Sequence, residues 1–340
     1  HAKGKGVLNG IDFKVDWKRL IGERASRLVL TSMLDDQTRA AIGYPTGAWV
    51  TGPMAVSLVL LVDGFHTQTA NVSLDFSPAT VQVPLWDKPP GMDGVAELSL
   101  ARGATGRYEV RSFAVSSGGL VVSGTIQSGG DGRARQLDIA RLVFGETRLG
   151  GSSIAWNPAG AYQISLSGEC LDLRPLLDEL TEIAGGETLP HVELAMRFDQ
   201  VILTDTQVLS ALQADGEYQD GTWRQSQAVA ALPNGSMVTV TLSGGAEAYL
   251  IAVTTADAGE LFRTFGIFNG AEGGKMDLRG TLIGPPGQKV FDGRVLVDAF
   301  RVANAPALAQ ILSLASLRGL YDVMQGQGIT FIGFEAPFKY

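Results

Sequence analysis

Apolar and polar residues alternate with a period of two through most of the chain, and each run stops at Gly, Pro, Asn or Asp. The apolar partners fall at Val72, Leu74 and Phe76, at Val81, Val83 and Leu85, and at Ala96, Leu98 and Leu100. They recur at Tyr162, Ile164 and Leu166, at Val192, Leu194, Met196 and Phe198, and at Val238, Val240 and Leu242. Met276 with Leu278 and Val295 with Val297 keep the same spacing. The residues between them are mostly polar, as at Ser73, Asp75, Glu97, Ser99, Gln163, Glu193, Arg197 and Thr239. This pattern predicts strands with one apolar and one wet face. Turn signals such as Gly118-Gly119, Asn157-Pro158, Asp220-Gly221 and Pro233-Asn234-Gly235 recur about every 8 to 12 residues, the spacing of an antiparallel meander.

Four segments switch to helical spacing. Asp172 caps a helix predicted over 172–184, with Leu173, Leu176, Leu177, Leu180 and Ile183 on one stripe before Gly185-Gly186. Asp257 caps a shorter one near 257–265 carrying Leu261, Phe262 and Phe265. Over 304–325, Asn304 and Pro306 open a helix with Leu308, Ile311 and Leu312, and Ser316 begins another with Leu317, Leu320 and Met324. The fourth runs from Asp36 to Ile42. Such amphipathic pieces suit the apolar end of a sheet, as a plug or as ordinary core. No repeat is exact, and the chain splits loosely near Gly168 into segments 1–167 and 168–340.

The 340 residues suffice for one long domain or two modest ones. Charged residues make up 18%, hydrophobic residues 45%, and mean hydropathy is +0.13, which excludes a disordered chain. The 43 glycines follow no triplet period and mark turns between strands. A net charge of -8 and a pI near 5.0 argue against nucleic acid or an anionic membrane surface as the main partner. The single cysteine, Cys170, excludes an intrachain disulfide and a multi-cysteine zinc site. Apolar stretches such as Leu58 to Val62 fall far short of the roughly 18 residues of a spanning helix. Beginning at His1 without methionine or an apolar leader, the chain reads as an excised fragment or a mature product.

Chemistry-bearing motifs are missing. There is no G-x-S-x-G, H-E-x-x-H, C-x-x-C or calcium loop, and Gly4, Gly6 and Gly10 lack phosphate-loop spacing. His66 and His191 sit at turn and strand-head positions, Cys170 reads as a small core residue, and Glu179 with Glu182 reads as a solvated helix face. The expectation is no catalytic residue, no metal ligand and no cofactor. A strand-built, apolar chain of this kind closes its sheet on itself, packs it on another sheet, or leaves the apolar face to a ligand. The pattern alone makes the closed core the plainer solution.

Several runs, in order, change that weighting: Leu74 to Ala79, Val83 to Gly91, Ser167 to Leu177, Asp257 to Phe262, Gly273 to Gly280, Phe300 to Ala309 and Leu314 to Leu320. Together they resemble the middle and C-terminal regions of AsmA-like proteins of the YhdP type, over roughly residues 30 to 340. The resemblance implies a mainly β fold: a long twisted antiparallel sheet curled into a hydrophobic groove, with a few short amphipathic helices. It further implies an inner-membrane anchor helix, a periplasmic location in a Gram-negative envelope, and phospholipid carried between inner and outer membranes. Acyl chains would lie in the groove and head groups outside.

On this reading the groove is lined by Val72, Leu74, Phe76, Val81, Val83, Leu98, Leu100, Ile164, Leu166, Val192, Leu194, Met196 and Phe198. Val238, Val240, Leu242, Met276, Leu278, Val295 and Val297 continue it. Leu308, Ile311, Leu312, Leu317, Leu320 and Met324 close its end. Two other classes stay open: a periplasmic scaffold that assists outer-membrane protein assembly through its sheet edges, and a carbohydrate-active β enzyme, which would need facing carboxylates.

Overall fold

The computed structural model describes residues 1–340 except 9, 20, 21, 23, 24, 43–46, 48, 64, 65, 84, 85, 103–105, 107, 132, 176–189, 221, 246, 247, 285–289 and 304–328. The protein is mainly β: among the described residues 73% are in strands and 6% in helices. It divides into two compact units, His1–Trp156 and Asn157–Tyr340. Gly168, where the sequence suggested a division, lies inside a strand of the second unit.

The first unit contains β1 (Ala2–Leu8), β2 (Ile11–Arg19), β3 (Ala25–Leu34), β4 (Val50–Thr51), β5 (Met54–Asp63), β6 (His66–Asp75), β7 (Thr80–Val83) and β8 (Trp86–Lys88). It continues with β9 (Gly94–Arg102), β10 (Tyr108–Ser117), β11 (Leu120–Ser128), β12 (Ala134–Phe144), β13 (Thr147–Leu149) and β14 (Ser152–Trp156). Its main sheet pairs β1, β2, β3, β5, β6, β9, β10, β11 and β12 in succession, all antiparallel, with β13 and β14 on β12. Gly118 and Gly119 both take positive φ, 51° and 88°, in the two-residue turn that sets Ser117 opposite Leu120.

The short strands β4, β7 and β8 form a separate three-stranded sheet. Val81 and Val83 belong to it, so they are not neighbours of Val72 and Leu74 in the main sheet as alternation suggested. Their strand is set apart by the turn at Phe76 to Ala79, where the Ala79 N–H donates to the Phe76 carbonyl at 3.0 Å. The small sheet and helix α1 (Asp36–Ala41) cover one end of the apolar face. Ala79, Val81, Val50 and Ile42 pack there against Ile11, Leu34, Met54, Phe76 and Ala96. Helix α1 starts where Asp35 accepts the Thr38 N–H at 2.8 Å, an N-cap.

The second unit contains β15 (Tyr162–Asp172), β16 (Val192–Thr204), β17 (Gln207–Gln219), β18 (Thr222–Ala231), β19 (Met237–Gly244), β20 (Ala248–Thr255), β21 (Ala271–Ile283), β22 (Val290–Val302) and β23 (Ile329–Lys339). From β16 to β23 each strand pairs antiparallel with the next. β15 and β16 are parallel, a correction to the uniformly antiparallel expectation. The chain between them must therefore cross back to the starting end. That crossing spans the helix predicted over 172–184, of which 176–184 lies outside the described residues. Asp172 itself ends β15, its carboxylate accepting the Arg174 backbone N–H at 3.1 Å and two guanidinium bonds at 2.9 and 2.8 Å.

Helix α2 (Ala258–Thr264) sits where the sequence placed it, capped by Asp257 accepting the Glu260 N–H at 2.9 Å. Ala258 and Leu261 pack with Ala230, Leu232, Val238, Met276 and Val297 and cover one end of this unit's apolar face. The fit is backbone to backbone: a Cβ on Gly259 would lie 2.6 Å from the Ala271 carbonyl oxygen. The helices expected over 304–325, with Leu308, Ile311, Leu312, Leu317, Leu320 and Met324, lie outside the described residues.

Candidate functional site

Residues paired across adjacent strands point to the same side of a sheet, so the register identifies each face. In the second unit one row runs Leu166, Met196, Ala214, Ala228, Val240, Val253, Leu278, Val295, Ala336 across nine strands. Every member is apolar. Beside it runs Ile164, Leu194, Gly216, Ser226, Leu242, Ile251, Gly280, Gly293, Phe338. On the opposite side the row Ser165, Ala195, Asp215, Gln227, Thr241, Ala252, Arg279, Arg294, Pro337 is largely polar.

The pairing brings Ile164, Leu166, Val192, Leu194, Met196, Phe198, Val238, Val240, Leu242, Met276, Leu278, Val295 and Val297 onto one face. In the first unit Val15, Leu30, Leu58, Val72, Leu98 and Phe113 form a corresponding row, with Leu74 and Leu100 two residues along their strands. Phe76 continues the alternation past the end of β6 and is buried against the small sheet.

Burial along these faces is uneven. Beneath α2, Val238, Met276 and Val297 are 6%, 2% and 2% exposed. Farther along the same strands, Leu194, Met196, Leu242, Ile251, Leu278 and Val295 are only half-buried, and Val240 is 37% exposed. In the first unit Leu58, Leu60, Val72, Leu98 and Leu100 are likewise half-buried. Side chains facing inward in a closed sandwich would be covered by a second sheet. Here the apolar rows are covered at one end and accessible beyond it.

A hollow of about 250 Å³ opens on the apolar face of the second unit, lined by Leu194, Met196, Ala214, Gly216, Trp223, Ser226, Ala228, Val240 and Leu242, with Asp215 and Gln227 also bordering it. Large rings replace missing side chains on this face. Trp223 lies over Gly216, and Phe291 lies over Gly280 and Gly293, where a Cβ would come within 2.3 and 2.5 Å of its ring. Phe291 in turn meets Phe338, ring centres 5.2 Å apart. Alternation of aliphatic residues could not disclose these positions, because glycine carries no apolar signal. The signal present in the sequence was the aromatic residue one or two places from a strand end.

Larger hollows of about 600 and 570 Å³ lie against Lys5, Asp12, Lys14 and Thr31 in the first unit and against Thr241, Arg279, Asp292 and Arg294 in the second. Both carry charges of both signs beside apolar side chains such as Val7, Phe13 and Met33 in the first and Leu250 and Ile251 in the second. On the wet side Arg279 pairs with Asp277 at 2.8 Å, which raises its pKa, and Arg294 pairs with Glu335 at 3.1 Å. These pairs lie on the side of the second unit's sheet opposite its apolar rows.

The buried charges serve the covered end. Lys88 is fully buried and donates to the carbonyls of Ser77, Ala79 and Pro89 at 3.0, 2.8 and 3.3 Å, with its ammonium 5.5 Å from the centre of the Phe76 ring. Burial pushes its pKa below the usual lysine value, and Asp75 and Asp93 oppose that shift. Arg39, 3% exposed, donates to the carbonyls of Leu34, Val50 and Gly52 and pairs with Asp36. Among the described residues no group of three His, Cys, Asp or Glu side chains could hold a metal ion, and no helix is long and apolar enough to cross a membrane. No family model, curated protein or solved structure matches the chain.

Proposed function

We propose that the protein holds phospholipid acyl chains on the apolar faces of its sheets and acts, without catalysing a reaction, as a segment of a periplasmic carrier between inner and outer membranes. One observation carries the reading: apolar rows that cross every strand of a unit yet remain half-buried away from the covered end. An acyl chain would complete that burial at about 0.8 kcal/mol per methylene. Successive positions along the row are chemically alike, so a chain can shift by one strand for little net cost. The envelope setting and the two membranes are supported by the resemblance of the residue runs from Leu74 to Leu320 to AsmA-like proteins.

The test is native mass spectrometry with lipid extraction, on protein purified in mild detergent and freed of micelles. The expected result is stoichiometric phospholipid that leaves on denaturation. A lipid-free, stable monomer overturns the proposal.

A further inference from the structure

Beyond the acyl-chain reading, we propose that the wet face of β1, β2 and β3, opposite the row of Val15, Leu30 and Leu58, docks on an anionic phospholipid bilayer surface. The pairing sets like charges directly across from each other there: Lys5 against Lys14, and Lys18 against Arg27. All four are exposed, and none has an ion-pair partner among the described residues. Lys3 and His1 share Asp16, at 3.7 and 2.8 Å. On this face Lys3, Lys5, Lys14, Lys18 and Arg27 therefore stand against two carboxylates, Asp12 and Asp16.

Like charges directly opposite on paired strands are destabilising, and this face holds too few acids to offset them. A surface of negative charge supplies what is missing. The chain as a whole is acidic, but its charge is divided: residues 1–156 hold 16 basic and 14 acidic side chains, and residues 157–340 hold 11 and 21. The net charge that argues against an anionic surface as partner of the whole chain belongs to the second unit.

Apolar side chains decide which polyanion fits. Val7 and Met33 point to the same side as Lys5 and Lys14 and are 69% and 59% exposed. With Lys5, Asp12, Lys14 and Thr31 they line the hollow of about 600 Å³ in this unit. A nucleic-acid backbone gains nothing from them. A bilayer interface takes both kinds of group, cations at the phosphates and apolar tips beneath the head groups.

The assay is co-sedimentation of the full chain with vesicles of phosphatidylcholine alone or with about 30% phosphatidylglycerol. Each basic residue near such a surface is worth about fivefold in partitioning, so an excess of three should favour the anionic vesicles on the order of 100-fold at low salt. The preference should shrink as salt rises. Lys5→Gln with Lys14→Gln should weaken binding to the anionic vesicles about 30-fold. Lys275→Gln with Lys339→Gln changes the net charge equally, away from this face, and should bind like wild type. Equal partition to both vesicles, a preference insensitive to salt, or an equal loss in the Lys275 and Lys339 variant overturns the docking face. So does an oligonucleotide that binds as tightly as the anionic vesicles. Displacement by millimolar glycerol phosphate at constant ionic strength would assign a closed anion site and overturn it as well. Each of these results leaves the acyl-chain reading standing, because its rows lie on the other face.

Discussion

Val238 and Val240 are two residues apart on β19 and point to the same side, yet one lies under α2 and the other does not. Replacing each with aspartate compares a closed core with an accessible face inside one strand. Val240 is 37% exposed, so the substitution forfeits roughly two-thirds of the 1.5–3 kcal/mol that full burial of valine is worth, about 1–2 kcal/mol. Its carboxylate keeps access to water. Val238 is 6% exposed among Ala230, Leu261, Met276 and Val297, none of which can pair a charge. There the lost burial adds to an uncompensated carboxylate, and the sum reaches about 5 kcal/mol or more. Since whole domains are stable by only about 5–15 kcal/mol, Val238→Asp should unfold this unit or nearly so. Urea titration followed by far-ultraviolet circular dichroism at pH 7 reads both values from the midpoint, provided the slope is unchanged. Equal costs for the two variants, whether both large or both small, would refute the division into covered and accessible segments.

Leu261→Ala removes the central side chain of α2 from its cluster and should cost about 2–5 kcal/mol, measured by the same titration. Asp172 is held below its usual pKa of 3.8 by the Arg174 guanidinium and backbone N–H, so its stabilisation is complete above that pH and disappears as the pH falls through the folded-state value. Asp172→Asn should therefore be less stable than wild type at pH 6 and lose most of that difference in acid; a gap independent of pH contradicts the linkage. Lys88 behaves oppositely: burial lowers its folded-state pKa below 10.5, the unfolded chain binds the extra proton between the two values, and stability rises with pH across that window. Lys88→Met should abolish the rise and cost about 1–3 kcal/mol at pH 7 through the carbonyls of Ser77 and Ala79 left without a donor, as equilibrium unfolding at pH 7 and above will show.

The faces were legible because a sheet with a fixed register repeats every two residues, and from Ile164 to Val297 the pairing keeps those repeats in phase. Strand direction was not legible: Tyr162 to Asp172 alternates identically whether its neighbour runs parallel or antiparallel. Val81 and Val83 misled for a related reason, since four alternating residues look the same in a main strand and in a small covering sheet. What separates them is a long-range contact, the fit of Val81 against Ile11, Leu34 and Met54. Asp257 announced its helix because a cap is local chemistry. The hollow stayed hidden because Ala214, Gly216, Ser226 and Ala228 become a depression only when β17 and β18 are side by side.

The covering pieces raise a question of position that apolar burial does not answer. Hydrophobic attraction is non-directional, and on a face of nearly equivalent aliphatic rows a greasy helix could rest in several places at similar free energy. Polar tethers choose among them. In the second unit the Arg263 guanidinium donates to the Ala271 carbonyl at 2.8 Å and pairs with Glu260 at 2.7 Å, fixing α2 to the start of β21. In the first, Lys88 and Arg39 each gather three backbone carbonyls, ordering the turns that hold the small sheet and α1. These buried cations would be costly in an ordinary core, and their directional bonds are what immobilise the cover. An acyl chain has no such bonds along its length. On the proposed lipid-binding reading, the same uniform surface that obliges the protein to tether its own helix would leave a lipid tail free to move from strand to strand.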